Sequence, residues 1–207
     1  MAAIDRRRVL GALGAGLLLA GCAQRGPIPP DEVWLKGYTS SNLRYQPGTD
    51  WISDGNYTGY PLIPAGSPIR VAKPAYQATR VRADIDGMAF RLGQDYSRHV
   101  EFFEDWVGKL VDKEDPRLKI AGWPPEVQQA VRAGRIVPGM TREQVVVSLG
   151  YPLRTATMSL NNDVWRYWQS SFVQYDVHFD DNRVSRITRV SPGKEPLDVL
   201  MPDGMFR

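Results

Sequence analysis

Few residues in this chain of 207 are equipped for covalent or metal chemistry. There is one cysteine, Cys22, and there are two histidines, His99 and His178. A single thiol supports neither an intrachain disulfide framework nor a Cys-rich zinc site, and two imidazoles make a poor metal cluster. Ser97 and His99 are close in sequence, but Ser97 stands where a helix cap belongs rather than where a nucleophile would be held. His178 falls in an alternating strand, the usual place of a surface or edge residue. No Gly-rich phosphate loop, HExxH or G-x-S-x-G occurs. Asp84-Ile85-Asp86-Gly87 begins like a calcium loop, yet the later acidic ligands are missing, and a hairpin turn accounts for it. The expectation is a protein that is not an enzyme, with no catalytic residues, no cofactor and no metal.

Recognition chemistry is better represented. Trp51, Tyr57, Tyr60 and Tyr76 lie in Gly- and Pro-rich, loop-like sequence. Exposed aromatics in loops dock peptides or glycan strands; the alternative is packing against a tether or a second domain. Arg154, Arg166, Arg183, Arg186 and Arg189 recur in the last strands. They could meet anionic lipid headgroups, or simply form solvated strand faces. Trp51, Tyr57, Tyr60, Arg166 and Arg186 are taken as the candidate partner-binding residues.

The remaining thiol has a different chemistry. Arg6, Arg7 and Arg8 precede an apolar stretch from Val9 to Ala20, shorter than the roughly 20 residues of a transmembrane helix but suited to a signal-peptide core. It ends Leu19-Ala20-Gly21-Cys22, which resembles the lipobox of bacterial lipoproteins, with Cys22 as the lipidated residue. The formal charge of +3 and the pI near 9.0 then belong mainly to a discarded leader, and no nucleic-acid partner is implied. Ala23, where an inner-membrane retention signal has Asp, favours the outer membrane. Arg6-Arg7-Arg8-Val9-Leu10 is also similar to a twin-arginine motif, so the export route stays open. The expectation is a lipid-anchored protein facing the periplasm.

The elements that must position these groups divide the rest. Residues 1–21 read as signal peptide and 22–37 as a Pro-rich tether. Residues 38–96 read as a small β-barrel-like module: strands at 43–45, 69–72, 77–85 and 88–92, with an Asp86-Gly87 hairpin. Its Ile63-Pro64-x-Gly66 step and that hairpin resemble bacterial SH3-like domains. Residues 97–124 form a helical bridge. Its spacing predicts a helix from the Ser97 cap to about Asp112, ended by Asp115-Pro116. Val100, Phe103, Trp106, Val107, Leu110 and Val111 make its apolar face, opposite Glu101, Glu104, Asp105 and Lys109.

Residues 125–191 predict two short helices and three strands. The first helix runs 125–133 and ends at Gly134. The second follows a Thr141/Gln144 capping box and ends at Gly150. Strands at 164–169, 172–179 and 183–190 follow, with Val173, Tyr175, Val177 and Phe179 turned inward. The fold class is α+β: the SH3-like module, then a two-layer helix-helix-three-strand antiparallel sandwich, with 192–207 as a tail.

Ile136-x-Pro138-Gly139-Met140-Thr141-Arg142-x-Gln144-Val145, Leu149-Gly150-x-Pro152-Leu153, Trp165-Arg166-Tyr167 and Val177-His178-Phe179 occur in that order. The pattern resembles the SmpA/OmlA (BamE) lipoprotein family from Pro125 to about Val190. The resemblance implies a periplasm-facing outer-membrane lipoprotein acting in assembly of outer-membrane proteins or envelope integrity. Its implied partners are the β-barrel assembly machinery or other envelope proteins, and anionic phospholipid. About 100 residues separate the Cys22 anchor from this unit, which typical members lack. A peptidoglycan- or peptide-binding envelope protein, or an inhibitor of an envelope enzyme, remains the alternative.

Overall fold

The computed structural model describes residues 26–193 and 199–200. The first unit is built from short strands: β1 (Val33–Thr39), β2 (Leu43–Arg44), β3 (Trp51–Ser53), β4 (Leu62–Ile63), β5 (Pro68–Ala72), β6 (Arg80–Ile85) and β7 (Met88–Gly93). With β8 (Val111–Asp112) they form a curled six-stranded sheet ordered β3-β7-β6-β5-β1-β8, and β2 pairs with β4 separately. Alternation sends Val81, Ala83 and Ile85 of β6 into the core, while Arg80 and Arg82 face outward. Asp86 and Gly87, at φ of 50° and 78°, make the tight β6–β7 turn that their residue types predict.

Two expectations for this unit are corrected. Residues 22–37, read as a tether, contain most of β1, which pairs with β5 and β8. Ile28 is itself buried. Its N–H donates to Asp84 Oδ2 at 2.7 Å, and its carbonyl accepts from Arg70 at 2.6 Å. The prolines here do not mark loose chain. They set an extended entry and a short 3-10 turn at Pro30–Glu32 from which β1 starts. β3 falls where the sequence reads as loop. It pairs in parallel with β7, so no local hairpin signal announces it.

The bridge is likewise corrected. Its first helix, α1, spans only Phe103–Lys109, with Phe102 at the N-cap and no side-chain cap bond. Ser97 does not cap it, because a buried carboxylate of the first unit takes both its N–H and its hydroxyl. Phe103, Trp106 and Val107 still bury the face their spacing predicts. Glu101 lies ahead of the helix and is ion-paired with Lys109. Asp115-Pro116 starts a helix instead of ending one. In α2 (Pro116–Ile120), Asp115 accepts from the Arg117 N–H at 3.0 Å and Pro116 occupies a first-turn position that needs no N–H.

The second unit follows its sequence closely. α3 (Pro125–Ala133) closes at Gly134 in the left-handed region, and α4 (Arg142–Leu149) carries both arms of the Thr141/Gln144 capping box. Such a cap contributes about 1 kcal/mol. α4 exits through Gly150 at φ 82° and ψ 179°, which only glycine occupies readily. A Cβ there would also meet the Asn56 side chain at 2.1 Å. β9 (Val164–Ser170), β10 (Val173–Asp180) and β11 (Arg183–Arg189) form an antiparallel sheet ordered β11-β10-β9. Trp165, Tyr167, Tyr175, Val177 and Phe179 pack beneath Val145 and Leu149, each such side chain contributing about 1.5–3 kcal/mol. The expected tail also departs from its reading: Val199 is fully buried in this core, and Ile136 donates its N–H to the Val199 carbonyl at 2.8 Å.

The two units share a polar, buried seam. Asn42 Nδ2 donates to the Val131 and Ser148 carbonyls at 2.7 and 2.9 Å, and its Oδ1 accepts from the Ala65 N–H at 2.8 Å. The bridge divides between cores: α1 packs into the first, while Ile120 and Trp123 join the second.

Candidate functional site

The aromatics singled out in the first unit come together because of one carboxylate. Asp54, just after β3, is buried. It accepts from the Asp95 N–H at 2.8 Å, the Tyr96 N–H at 3.2 Å, the Ser97 N–H at 2.8 Å and the Ser97 hydroxyl at 2.6 Å. These bonds draw the turn after β7 against β3. Asp95 is thereby placed to accept from Trp51 Nε1 at 2.8 Å, and Tyr96 to meet Tyr57 hydroxyl to hydroxyl at 2.7 Å.

Each ring is fixed from a second side. Trp51 lies over Gly93, where a Cβ would come within 2.0 Å of the indole. The Arg91 guanidinium, ion-paired to Asp50 at 2.6 Å, stands 5.3 Å from the Trp51 ring centroid. Tyr57 meets Tyr60 edge-on with centroids 5.2 Å apart. The Tyr96 hydroxyl is held well above the ordinary phenol pKa. Its hydrogen bond to Tyr57 is the chief cause, followed by burial and the nearby Asp95 and Asp54 charges.

The result is a cleft of about 190 Å³ lined by Trp51, Tyr57, Tyr60 and Tyr96 and reaching Ser171 of the second unit. Its floor belongs to the seam. Arg44 is buried, donating to the Tyr60 carbonyl at 2.8 Å and the Gly134 carbonyl at 2.9 Å. Asn56 Nδ2 donates to the Leu149 carbonyl at 2.7 Å. The loop after Asn56 extends the second sheet at its β9 edge, Thr58 and Gly59 donating to the Trp168 and Gln169 carbonyls at 2.9 Å each. Three of the four loop aromatics are thus gathered. Tyr76, 92% exposed between β5 and β6, stands apart. Sequence reading missed Tyr96, Asp95 and Arg44. Their only local signal is polar and aromatic residues placed directly after a strand, which carries no information about Asp54.

The arginines do not form one cluster. Arg166 and Arg186 share the outer face of the three-stranded sheet, being in register with Asp176 and His178 respectively. Arg166 makes a two-pronged bond to Asp176 at 2.9 and 3.0 Å, which raises its pKa. Arg183 reaches the Gly139 carbonyl at 2.8 Å, Arg189 is in register with inward-facing Tyr175, and Arg154 sits in the loop after α4. His178 is hydrogen-bonded to Thr188 at 2.7 Å. Cys22 lies outside the described residues, and no metal-binding group of His, Cys, Asp or Glu occurs among the described ones.

A second hollow, of about 390 Å³, runs between α2 and α4 and is lined by Trp123, Val146, Tyr151, Leu160 and Trp165. The buried Trp165 indole N–H has no acceptor there among the described residues. No sequence pattern pointed to this groove, since its walls come from four separate stretches.

Residues 128–189, from within α3 to the end of β11, match the family model of the outer membrane protein assembly factor BamE domain. The match falls in the C-terminal third, where the sequence resemblance placed it. Neither the curated proteins nor the solved structures returned a match.

Proposed function

We propose that this chain is an outer-membrane lipoprotein, anchored through Cys22 and facing the periplasm, that serves outer-membrane protein assembly as a non-catalytic interaction module. The observation that carries the reading is the BamE-domain match at residues 128–189, which takes in most of α3, all of α4 and β9–β11, and most of the core they enclose. The Arg6–Arg8 cluster and the Leu19-Ala20-Gly21-Cys22 motif support the anchor. No helix among the described residues is long and apolar enough to cross a membrane. The apolar groove between α2 and α4 supplies a surface for a partner chain. The Pro64-Ala65-Gly66 turn before β5 and the Asp86-Gly87 hairpin support an SH3-like reading of the first unit.

Affinity capture of the tagged protein from detergent-solubilised membranes of its own cells tests the assembly role. Barrel-assembly components are expected in the eluate of the wild type and, after radiolabelled palmitate feeding, label on the wild type but not on Cys22→Ala. Capture without any barrel-assembly or envelope protein would overturn the assembly role, and label on Cys22→Ala would overturn the anchor.

A second reading, a cell-wall-binding envelope protein, is favoured by one observation: the four rings gathered around the seam cleft. Sedimentation with purified sacculi separates it from the first. A wall binder pellets with them, and a pure assembly subunit stays in the supernatant.

A further inference from the structure

The seam cleft has an unusual lining for a protein-docking site. It is walled by Trp51, Tyr57, Tyr60 and Tyr96 together with polar side chains, and no aliphatic residue contributes. Peptide grooves draw affinity from aliphatic anchor pockets or from main-chain pairing at an open strand edge. The edge of β3 offers no such pairing at Trp51, because the Trp51 carbonyl accepts from the Gln46 N–H at 2.9 Å and its N–H donates to Thr49 Oγ1 at 3.1 Å. What the cleft does offer is flat aromatic surface bordered by an amide, a carboxylate and a hydroxyl: Gln46, Asp95 and Ser171. The side chains of Gln46 and Ser171 are exposed and make no hydrogen bond within the described residues.

This is the chemistry of a polyhydroxylated ring. A pyranose presents an apolar C–H face that packs on an indole or phenol, and a rim of hydroxyls that pair with amide, carboxylate and hydroxyl groups. The volume, about 190 Å³, suits one sugar ring, below the 300–1,000 Å³ typical of sites that enclose drug-sized ligands. The rings are also held before any ligand arrives, by the Trp51–Asp95 and Tyr57–Tyr96 hydrogen bonds and the Gly93 shelf. Such preorganisation lowers the entropy cost of binding.

We infer that the seam cleft binds a saccharide, one ring of a glycan strand seated among Trp51, Tyr57, Tyr60 and Tyr96. The inference rests on the cell-wall reading and specifies the glycan, not the stem peptide, as what is held. Because Ser171 belongs to the second unit, a bound sugar touches both units at once.

The test is calorimetric titration of the full-length protein, in an amine-oxide detergent that carries no sugar, with an N-acetylglucosamine tetrasaccharide and separately with a free stem pentapeptide. Saturable binding of the tetrasaccharide alone is expected. Trp51→Ala should weaken it by about tenfold, the loss of one aromatic contact. Gln46→Ala, which removes no hydrogen bond of the fold, should weaken it about fivefold. Tyr76→Ala should leave it unchanged. No saturable tetrasaccharide binding, or binding that Trp51→Ala and Gln46→Ala both leave intact, overturns the proposal. Sacculus sedimentation that persists while only the pentapeptide binds overturns the glycan assignment yet leaves the wall reading standing. Failure to pellet at all removes that reading.

Discussion

Asn42→Asp is expected to destabilise the protein by about 4 kcal/mol and to split its unfolding into two transitions. Asn42 is buried at the seam, and its amide completes three backbone groups from three places: the Val131 and Ser148 carbonyls and the Ala65 N–H. An aspartate in its place would set an acceptor oxygen against two carbonyl oxygens, at positions 2.7 and 2.9 Å from the present donor. Leaving a buried polar group unpaired costs about 1–3 kcal/mol, and a buried charge without a partner costs more. Set against a total of about 5–15 kcal/mol, this is a large fraction. Asn42→Ala should cost less, about 3 kcal/mol, since it removes the partner without adding repulsion. The split arises because each unit keeps a hydrophobic core while two of the buried bonds joining them are lost. Urea unfolding followed by tryptophan fluorescence measures both effects, because Trp106 reports the first core and Trp165 the second. A single transition within 1 kcal/mol of wild type would show that Asn42 is not what couples the units.

What could be read from sequence divides along the same seam. In the second unit every element announces itself locally. Thr141 and Gln144 are three residues apart and cap α4 between themselves, Gly134 ends α3, and residues 173–179 alternate so that Tyr175, Val177 and Phe179 turn inward. The family pattern is legible for the same reason, being made of caps, exits and alternating core residues. In the first unit the deciding partners are distant. β3 pairs in parallel with β7, so Trp51 finds Arg91 without any turn between them to betray the pairing. Ser97 looks like a helix cap until Asp54 claims it across 43 residues. β1 hides behind prolines, and Val199 enters a core laid down by Val131, Ile136 and their neighbours far upstream. Residue types made Trp51, Tyr57 and Tyr60 visible as candidates. Their convergence was not visible, since it depends on the turn at 95–97 and on a seam formed with the other unit.

That dependence makes Asp54 the residue whose loss should do most to the cleft. Asp54→Ala is expected to lower stability by about 3–5 kcal/mol and to abolish the arrangement of the aromatics. The carboxylate serves three successive N–H groups and the Ser53 and Ser97 hydroxyls, and hydrogen bonds to a charged acceptor are worth about 1.5–3 kcal/mol each before their non-additivity is counted. Alanine leaves those donors facing an apolar methyl group. Asp54→Asn is the informative companion: one oxygen remains to accept, while the amide hydrogens confront backbone N–H groups, so part of the loss should persist despite near-equal volume. Freed from Asp54, the 95–97 turn no longer holds Asp95 against Trp51 or Tyr96 against Tyr57. The Tyr96 phenol, whose ionisation is suppressed first by the Tyr57 bond and then by burial, should then titrate at lower pH. Ultraviolet titration of the folded variant reads that shift, and a thermal melt reads the stability. A variant that melts early but keeps the Tyr96 titration would mean that Asp54 supports the fold without shaping the cleft. A variant that loses both, while the second unit's transition stays in place, ties the geometry of the four rings to this single buried carboxylate.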